Sequence, residues 1–339
     1  MPVTADRDIR WGILGAGEIA WTVGREIALS EGNRVAAVGA RSLSRARALS
    51  SRFEGCVSYG SYSELVVDPD IDVVYVASTH PFHREHALLA IDARKPVLIE
   101  KPVSLTAEAT REIFRAARQA NVFAMEAMWM RLNPLVRQAQ QLVADGAIGE
   151  VKFLRADHGL GLAYDPSHRL YDLHNGGGAL LDLGIYPITF AHLFLGAPTS
   201  VAVNGELAES GCDATVAMQW TAQSGSTAQL WCSASVLTSN QAAIYGSTGW
   251  IRTEGDFYRP SGLLVHSGEK VRRIPDPIVG QGAGYGPEIL EVARCLRAGL
   301  LESPSVPHDD TVAIMELLDS ARAELGVAYP DEQEAANIY

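Results

Sequence analysis

A short apolar run, Arg10-Trp11-Gly12-Ile13-Leu14, leads directly into Gly15-Ala16-Gly17-Glu18-Ile19-Ala20, and no other stretch restricts the fold of this chain so tightly. The pattern is a buried strand, a GxGxxA turn and the opening of a helix. Gly15 permits the tight turn, Gly17 lets a pyrophosphate approach the backbone, and Ala20 allows the helix to lie close on the strand. Free N–H groups at the helix start, where Glu18 and Ile19 stand, then face the phosphates. Gly15, Gly17, Glu18 and Ile19 are therefore expected to hold a dinucleotide; the bland alternative is a merely tight strand-to-helix turn.

Alternating strands and helices continue to about Asn133, which predicts a doubly wound parallel sheet of Rossmann type over residues 1–133. The second strand, Arg34 to Ala40, ends where an NAD-preferring chain places an acid against the adenosine ribose. Here Ala40 is followed by Arg41 and Ser42, a fork and a hydroxyl suited to a phosphate dianion, so NADP(H) is expected rather than NAD(H). Alternatively, Arg41 is a solvated helix-start arginine and Ser42 an N-cap. The next strand read from the pattern, Ile71 to Ala77, ends at Ser78-Thr79-His80-Pro81-Phe82-His83, which puts Thr79, His80 and His83 at the cofactor crevice.

Val97-Leu98-Ile99-Glu100-Lys101-Pro102 is a buried run that ends in a carboxylate, an ammonium and a proline. Ligands of open parallel sheets bind beyond the strand carboxyl ends, so Glu100 and Lys101 belong at the site, and Pro102 forces the chain to turn. Beyond the strand Val122 to Glu126, Trp129 and Arg131 lie in a transition segment expected against the nicotinamide or the substrate, if not in ordinary packing.

From residue 134 the pattern changes. Alternating runs from Val151 to Asp157 and between Ser200 and Lys270 predict a large, mostly antiparallel open sheet in an α/β domain spanning 134–339, with the final helices packing back on the sheet or the first domain. Between them, Gly176-Gly177-Gly178 precede an apolar helix carrying Asp182 and Tyr186, four residues apart and so on one face, with a kink expected at Pro187. A glycine triplet there lets the backbone come close to something.

The 339-residue length favours two domains. A net charge of −12 without a basic cluster argues against nucleic acid or anionic membrane as partner. No signal-type apolar leader or membrane-length apolar run is evident. Cys56, Cys212, Cys232 and Cys295 show no metal-ligand spacing, so no metal is expected, and a reduced cytoplasmic location fits.

Gly15 to Ala20, Glu100-Lys101-Pro102 and Gly177 to Tyr186, in that order, resemble the glucose–fructose oxidoreductase/inositol dehydrogenase/MocA family over nearly the whole chain. Tyr59 to Leu65, Met125 to Arg131 and Leu181 to Tyr186 are most similar to its dimeric dihydrodiol dehydrogenase and NADP-dependent D-xylose dehydrogenase branch. The resemblance implies a Rossmann domain, NADP, a homodimer formed through the open sheet, Lys101 as catalytic lysine and Asp182 as substrate-side carboxylate. Tyr186 stands where many members carry histidine, which weakens any transfer of an inositol-type substrate.

Hydride transfer from a CH–OH group needs a proton acceptor, and an unperturbed tyrosine, titrating at about 10, needs help to serve near neutrality. Tyr186 is therefore expected as acid/base, Lys101 as its electrostatic partner and Asp182 as an orienting acceptor, with Arg169 and His174 lining a pocket for a sugar, cyclitol or vicinal diol. Rival readings are an NADP-binding sensor and a cofactor-dependent glycosidase.

Overall fold

The computed structural model describes residues 7–277 and 282–330. By its contacts the chain divides into two compact units, Met1–Leu132 with Gln281–Val312, and Asn133–Gly280 with Ala313–Tyr339.

The first unit holds strands β1 (Ile9–Leu14), β2 (Asn33–Gly39), β3 (Val57–Tyr59), β4 (Val73–Val76), β5 (Val97–Glu100) and β6 (Ala124–Ala127). They pair in the order β3-β2-β1-β4-β5-β6, every pair parallel. That is the Rossmann order, with the switch point between β1 and β4. The crossovers carry helices α1 (Glu18–Leu29), α2 (Leu43–Ser50), α3 (Tyr62–Val66), α4 (His83–Asp92) and α5 (Ala107–Ala120).

The three-residue β3 escapes a reading by periodicity because it is too short to repeat, so the run from Ile71 forms the fourth strand, not the third. Trp11, Ile13, Val38, Tyr75 and Leu98 lie in one buried core with Ile289 and Val292 of the returning segment. Each such side chain contributes roughly 1.5–3 kcal/mol when withdrawn from water.

The second unit begins with α6 (Pro134–Ala144), capped by the Asn133 side chain on the N–H groups of Leu135 and Val136. Strand β7 (Val151–Gly159) follows, and after a long connection come α7 (Ile185–Leu195), β8 (Pro198–Leu207), β9 (Asp213–Ala222), β10 (Thr227–Ser233), β11 (Ala242–Gly246), β12 (Gly249–Glu254), β13 (Gly262–Ser267) and β14 (Lys270–Pro275). The order is β14-β13-β12-β11-β7-β10-β9-β8, antiparallel except where β7 runs parallel to β10. Helix α7 packs on β7 and β10. The chain ends through α8 (Gly286–Arg297), which belongs to the first unit, and α9 (His308–Leu325).

Two expectations change here. The helix carrying Asp182 and Tyr186 is not of one kind: Leu180–Gly184 forms a π turn that passes into α7 at Ile185. Pro187 accounts for the position, because a proline lacks an N–H and its ring crowds the carbonyl four residues earlier, that of Leu183, and the turn before it is the widened one. Moreover, the helical run Leu173–Leu195 is long and apolar enough to cross a membrane by length and composition, although 78% of its most apolar window is buried within the protein.

Candidate active site

In the first unit the strand–turn–helix opening has the form its residues require. Gly15 adopts φ +124°, and a side chain there would meet the Ala77 carbonyl oxygen at 2.6 Å. Gly17 is the N-cap of α1, has no side-chain cap, and has nothing within 4 Å of where a Cβ would stand. The turn therefore presents open space at a helix start, where Glu18 is exposed and Ile19 half-buried. A dinucleotide pyrophosphate fits this cradle.

At the end of β2, Arg41 is exposed, with its guanidinium 5.8 Å from the Phe82 ring centroid. Ser42 stands at the N-cap of α2 without capping it; its hydroxyl is 2.7 Å from that of Ser44. Arg45, not singled out from sequence, donates to the Ala16 carbonyl at 3.4 Å and so stands over the glycine turn. Its signal was the helical spacing from Arg41. Thr79 is exposed at the start of the 3-10 turn His80–Phe82, and the His80 ring lies 5.6 Å from that of His83.

Three residues expected to face the cofactor are turned inward. His83 is fully buried, its Nδ1 2.8 Å from the Pro102 carbonyl and its Nε2 2.9 Å from the Ser78 carbonyl, so it ties two loops together. Those carbonyls favour a charged ring, but burial outweighs them and pushes its pKa down to about 4; the neutral imidazole donates to one of the two. Glu100 is buried, accepting from the Tyr75 hydroxyl and from the Lys101 backbone N–H, the latter at 3.2 Å. Arg131 is buried and donates to the Ser305 carbonyl at 2.9 Å and to Asp310 at 2.5 Å. Buried charges take partners from their own surroundings, which periodicity does not reveal.

Lys101 itself is partly exposed and is joined to Pro102 by a cis peptide. Glu126 was missed by sequence reasoning. It is buried beneath this turn, accepts from the Val103 N–H at 3.2 Å, and is pushed up to about 7 by burial, against the favourable charges of Arg131 and Lys101. Trp129 is buried, its ring 4.8 Å from that of Tyr285.

In the second unit the structure brings Arg169 and Asp182 together. Arg169 Nη2 donates to Asp182 Oδ2 at 2.8 Å, joining a half-exposed cation to a buried carboxylate. Tyr186, on the first turn of α7, is buried among aromatic rings: His158 at 5.3 Å, edge-on, and Tyr258 at 5.1 Å. No sequence pattern marked His158, which is simply a position near the end of β7. His174 is exposed in the turn Leu173–Asn175, whose N-cap Asp172 accepts from the His174 N–H at 3.0 Å. Among the described residues no group of His, Cys, Asp and Glu is arranged to hold a metal ion.

Comparison with known proteins agrees with this geometry. Residues 9–128 match the oxidoreductase family with an NAD-binding Rossmann fold, and residues 136–252 match the GFO/IDH/MocA C-terminal domain. The trans-1,2-dihydrobenzene-1,2-diol dehydrogenase of Danio rerio is 36% identical over 96% of this chain and 99% of its own; that of Homo sapiens is 33% identical over the same shares. Among solved structures, KijD10, a 3-ketoreductase from Actinomadura kijaniata in complex with NADP and TDP-benzene, superposes with a TM-score of 0.82 at 26% identity, covering 94% of this chain and 98% of that one. The aldose-aldose oxidoreductase of Caulobacter crescentus shares the fold with a TM-score of 0.84 at 24% identity, covering 94% and 98%.

The chain belongs to the GFO/IDH/MocA oxidoreductase family. It is a nicotinamide-dependent oxidoreductase that moves a hydride between its cofactor and a CH–OH or carbonyl group.

Proposed function

We propose that the chain is an NADP-dependent dehydrogenase of vicinal diols or aldoses, with Tyr186 as acid/base, Lys101 as the cation that stabilises charge developing on the same oxygen, and Asp182 as the group that orients the substrate hydroxyl. The observation that carries this reading is the setting of Tyr186: a buried phenol against His158 and Tyr258, one helical turn from a carboxylate held by Arg169. The bound nicotinamide supplies the hydride chemistry. The protein's share is to hold the hydroxyl, remove or return its proton and exclude water.

Preference for the 2′-phosphate rests on Arg41, Ser42 and Arg45 around a strand end that carries no acid. The diol class follows the dihydrodiol dehydrogenases, 36% identical over nearly their whole length in Danio rerio, and the aldose class the resemblance to the D-xylose dehydrogenase branch. The reading includes a cytoplasmic homodimer joined through the sheet of the second unit. An open face of that sheet, bearing Arg155, Asn204, Gln219, Gln229 and Trp231 around about 570 Å³ of space, favours such a role.

The test is NADPH formation from NADP with a panel of aldoses, cyclitols and vicinal diols, run beside Tyr186→Phe and Lys101→Met. Each variant is expected to lose about a thousand-fold in kcat, and the pair little more than either alone, since groups acting on one oxygen are not additive. Tight NADP binding without turnover of any substrate would favour the sensor instead.

A further inference from the structure

The glycine triplet precedes the π turn, and what lies against it is a carboxylate. Asp213, at the start of β9, is buried, and its Oδ2 accepts the Leu180 N–H at 2.5 Å. A side chain on Gly178, which has φ +121°, would lie 2.3 Å from Asp213 Oδ1. From the other side Tyr329 donates to the Gly177 carbonyl at 3.0 Å. The backbone that leads to Asp182 and Tyr186 is thus gripped at its first turn.

We propose that Asp213 is a positioning residue: its carboxylate anchors the start of the π turn and so fixes Asp182 and Tyr186 for the reaction. The proposal rests on the function proposed above and adds to it a residue that touches neither cofactor nor substrate.

The charged and titratable groups facing Asp213 are Arg322 on α9, bonded to Asp319 at 3.0 Å, the neighbouring Cys212, which Asp172 also influences, and Cys232 on β10. Burial pushes the Asp213 carboxyl up to about 7, against the lowering effect of the Leu180 N–H and Arg322. Above that pH the charged form grips the N–H groups fully; below it the grip weakens. Global stability runs the other way. A carboxyl raised from its unfolded value of about 4 costs folding free energy as pH climbs from about 4 to 7. Positioning and stability therefore separate with pH, which a merely structural role would not produce.

The experiment compares the full-length wild type with Asp213→Asn and Asp213→Ala by amide hydrogen exchange over residues 179–186, thermal unfolding, NADP affinity and kcat, at pH 6 and 8. At pH 8 both variants should exchange about ten-fold faster over that segment and lose about ten-fold in kcat, with NADP affinity unchanged. Asp213→Asn, having no charge to bury, should unfold no earlier than wild type at pH 8 while remaining slower. If Asp213→Asn matches wild type in both exchange and kcat at pH 8, the anchor is wrong; if it unfolds earlier by as much as it slows, Asp213 is only structural. Failure of Asp213→Ala to fold leaves the decision to Asp213→Asn. A wild type that turns over no substrate sinks the proposed function, while exchange still decides the anchor.

Discussion

Two helix starts in this protein are both preceded by glycine-rich turns and are built in opposite ways. Gly15-Ala16-Gly17 opens α1 and Gly176-Gly177-Gly178 opens the π turn into α7. At the first, the space a Gly17 side chain would enter is empty for 4 Å, and the helix start has no cap. At the second, the corresponding space is filled by the protein's own Asp213 carboxylate, 2.3 Å from where a Gly178 Cβ would be. The first start leaves its N–H groups for a ligand's anion; the second spends one of them on an internal anion. Glycine before a helix thus signals a close approach, and tertiary neighbours determine what approaches.

The sharpest way to break this contrast is Gly178→Ala. Added strain at φ +121° together with the collision with Asp213 should cost about 3 kcal/mol or more, read as a fall in Tm, with NADP affinity intact. An unchanged Tm would show that the second start is not filled.

The mirror experiment is Gly17→Ala. At φ −93° with open space around it, the methyl group should leave Tm within about 1 °C of wild type and weaken NADP about 30-fold by calorimetry, because it would intrude on the space proposed for the pyrophosphate. A matching loss of stability would erase the distinction.

A smaller effect is expected beside that open start. Arg41→Ala should weaken NADP about ten-fold and NAD by less than about two-fold, and Arg45→Ala should do the same more weakly. Equal effects on both cofactors would remove the phosphate role from these arginines.

Much of the first unit was legible because its signals are contiguous. A strand, a GxGxxA turn and a helix lie within residues 10–29, and each parallel strand except the three-residue β3 announced itself as a short apolar run. The positions of Tyr186, Asp182 and Lys101 at or beside element ends were legible, Lys101 just after β5, Asp182 within the π turn and Tyr186 at the start of α7. What misled was the direction of side chains once buried: His83, Glu100 and Arg131 look like crevice residues in the sequence, yet each serves a carbonyl, hydroxyl or carboxylate inside the first unit. His158 was overlooked for the converse reason, since nothing in its own neighbourhood marks it, and Arg45 because only its helical spacing from Arg41 pointed to it.

By itself, then, the sequence determined the glycine turn between strand and helix and most of the parallel sheet, because covalent adjacency and side-chain period set local backbone form. Only the tertiary structure decided that Asp213 fills the second glycine start, that Arg169 holds Asp182, and that Pro187 is preceded by a π turn. Those outcomes depend on which distant segment occupies a given volume, and on the cost of leaving a buried charge without a partner. Neither quantity is written in any single stretch of chain.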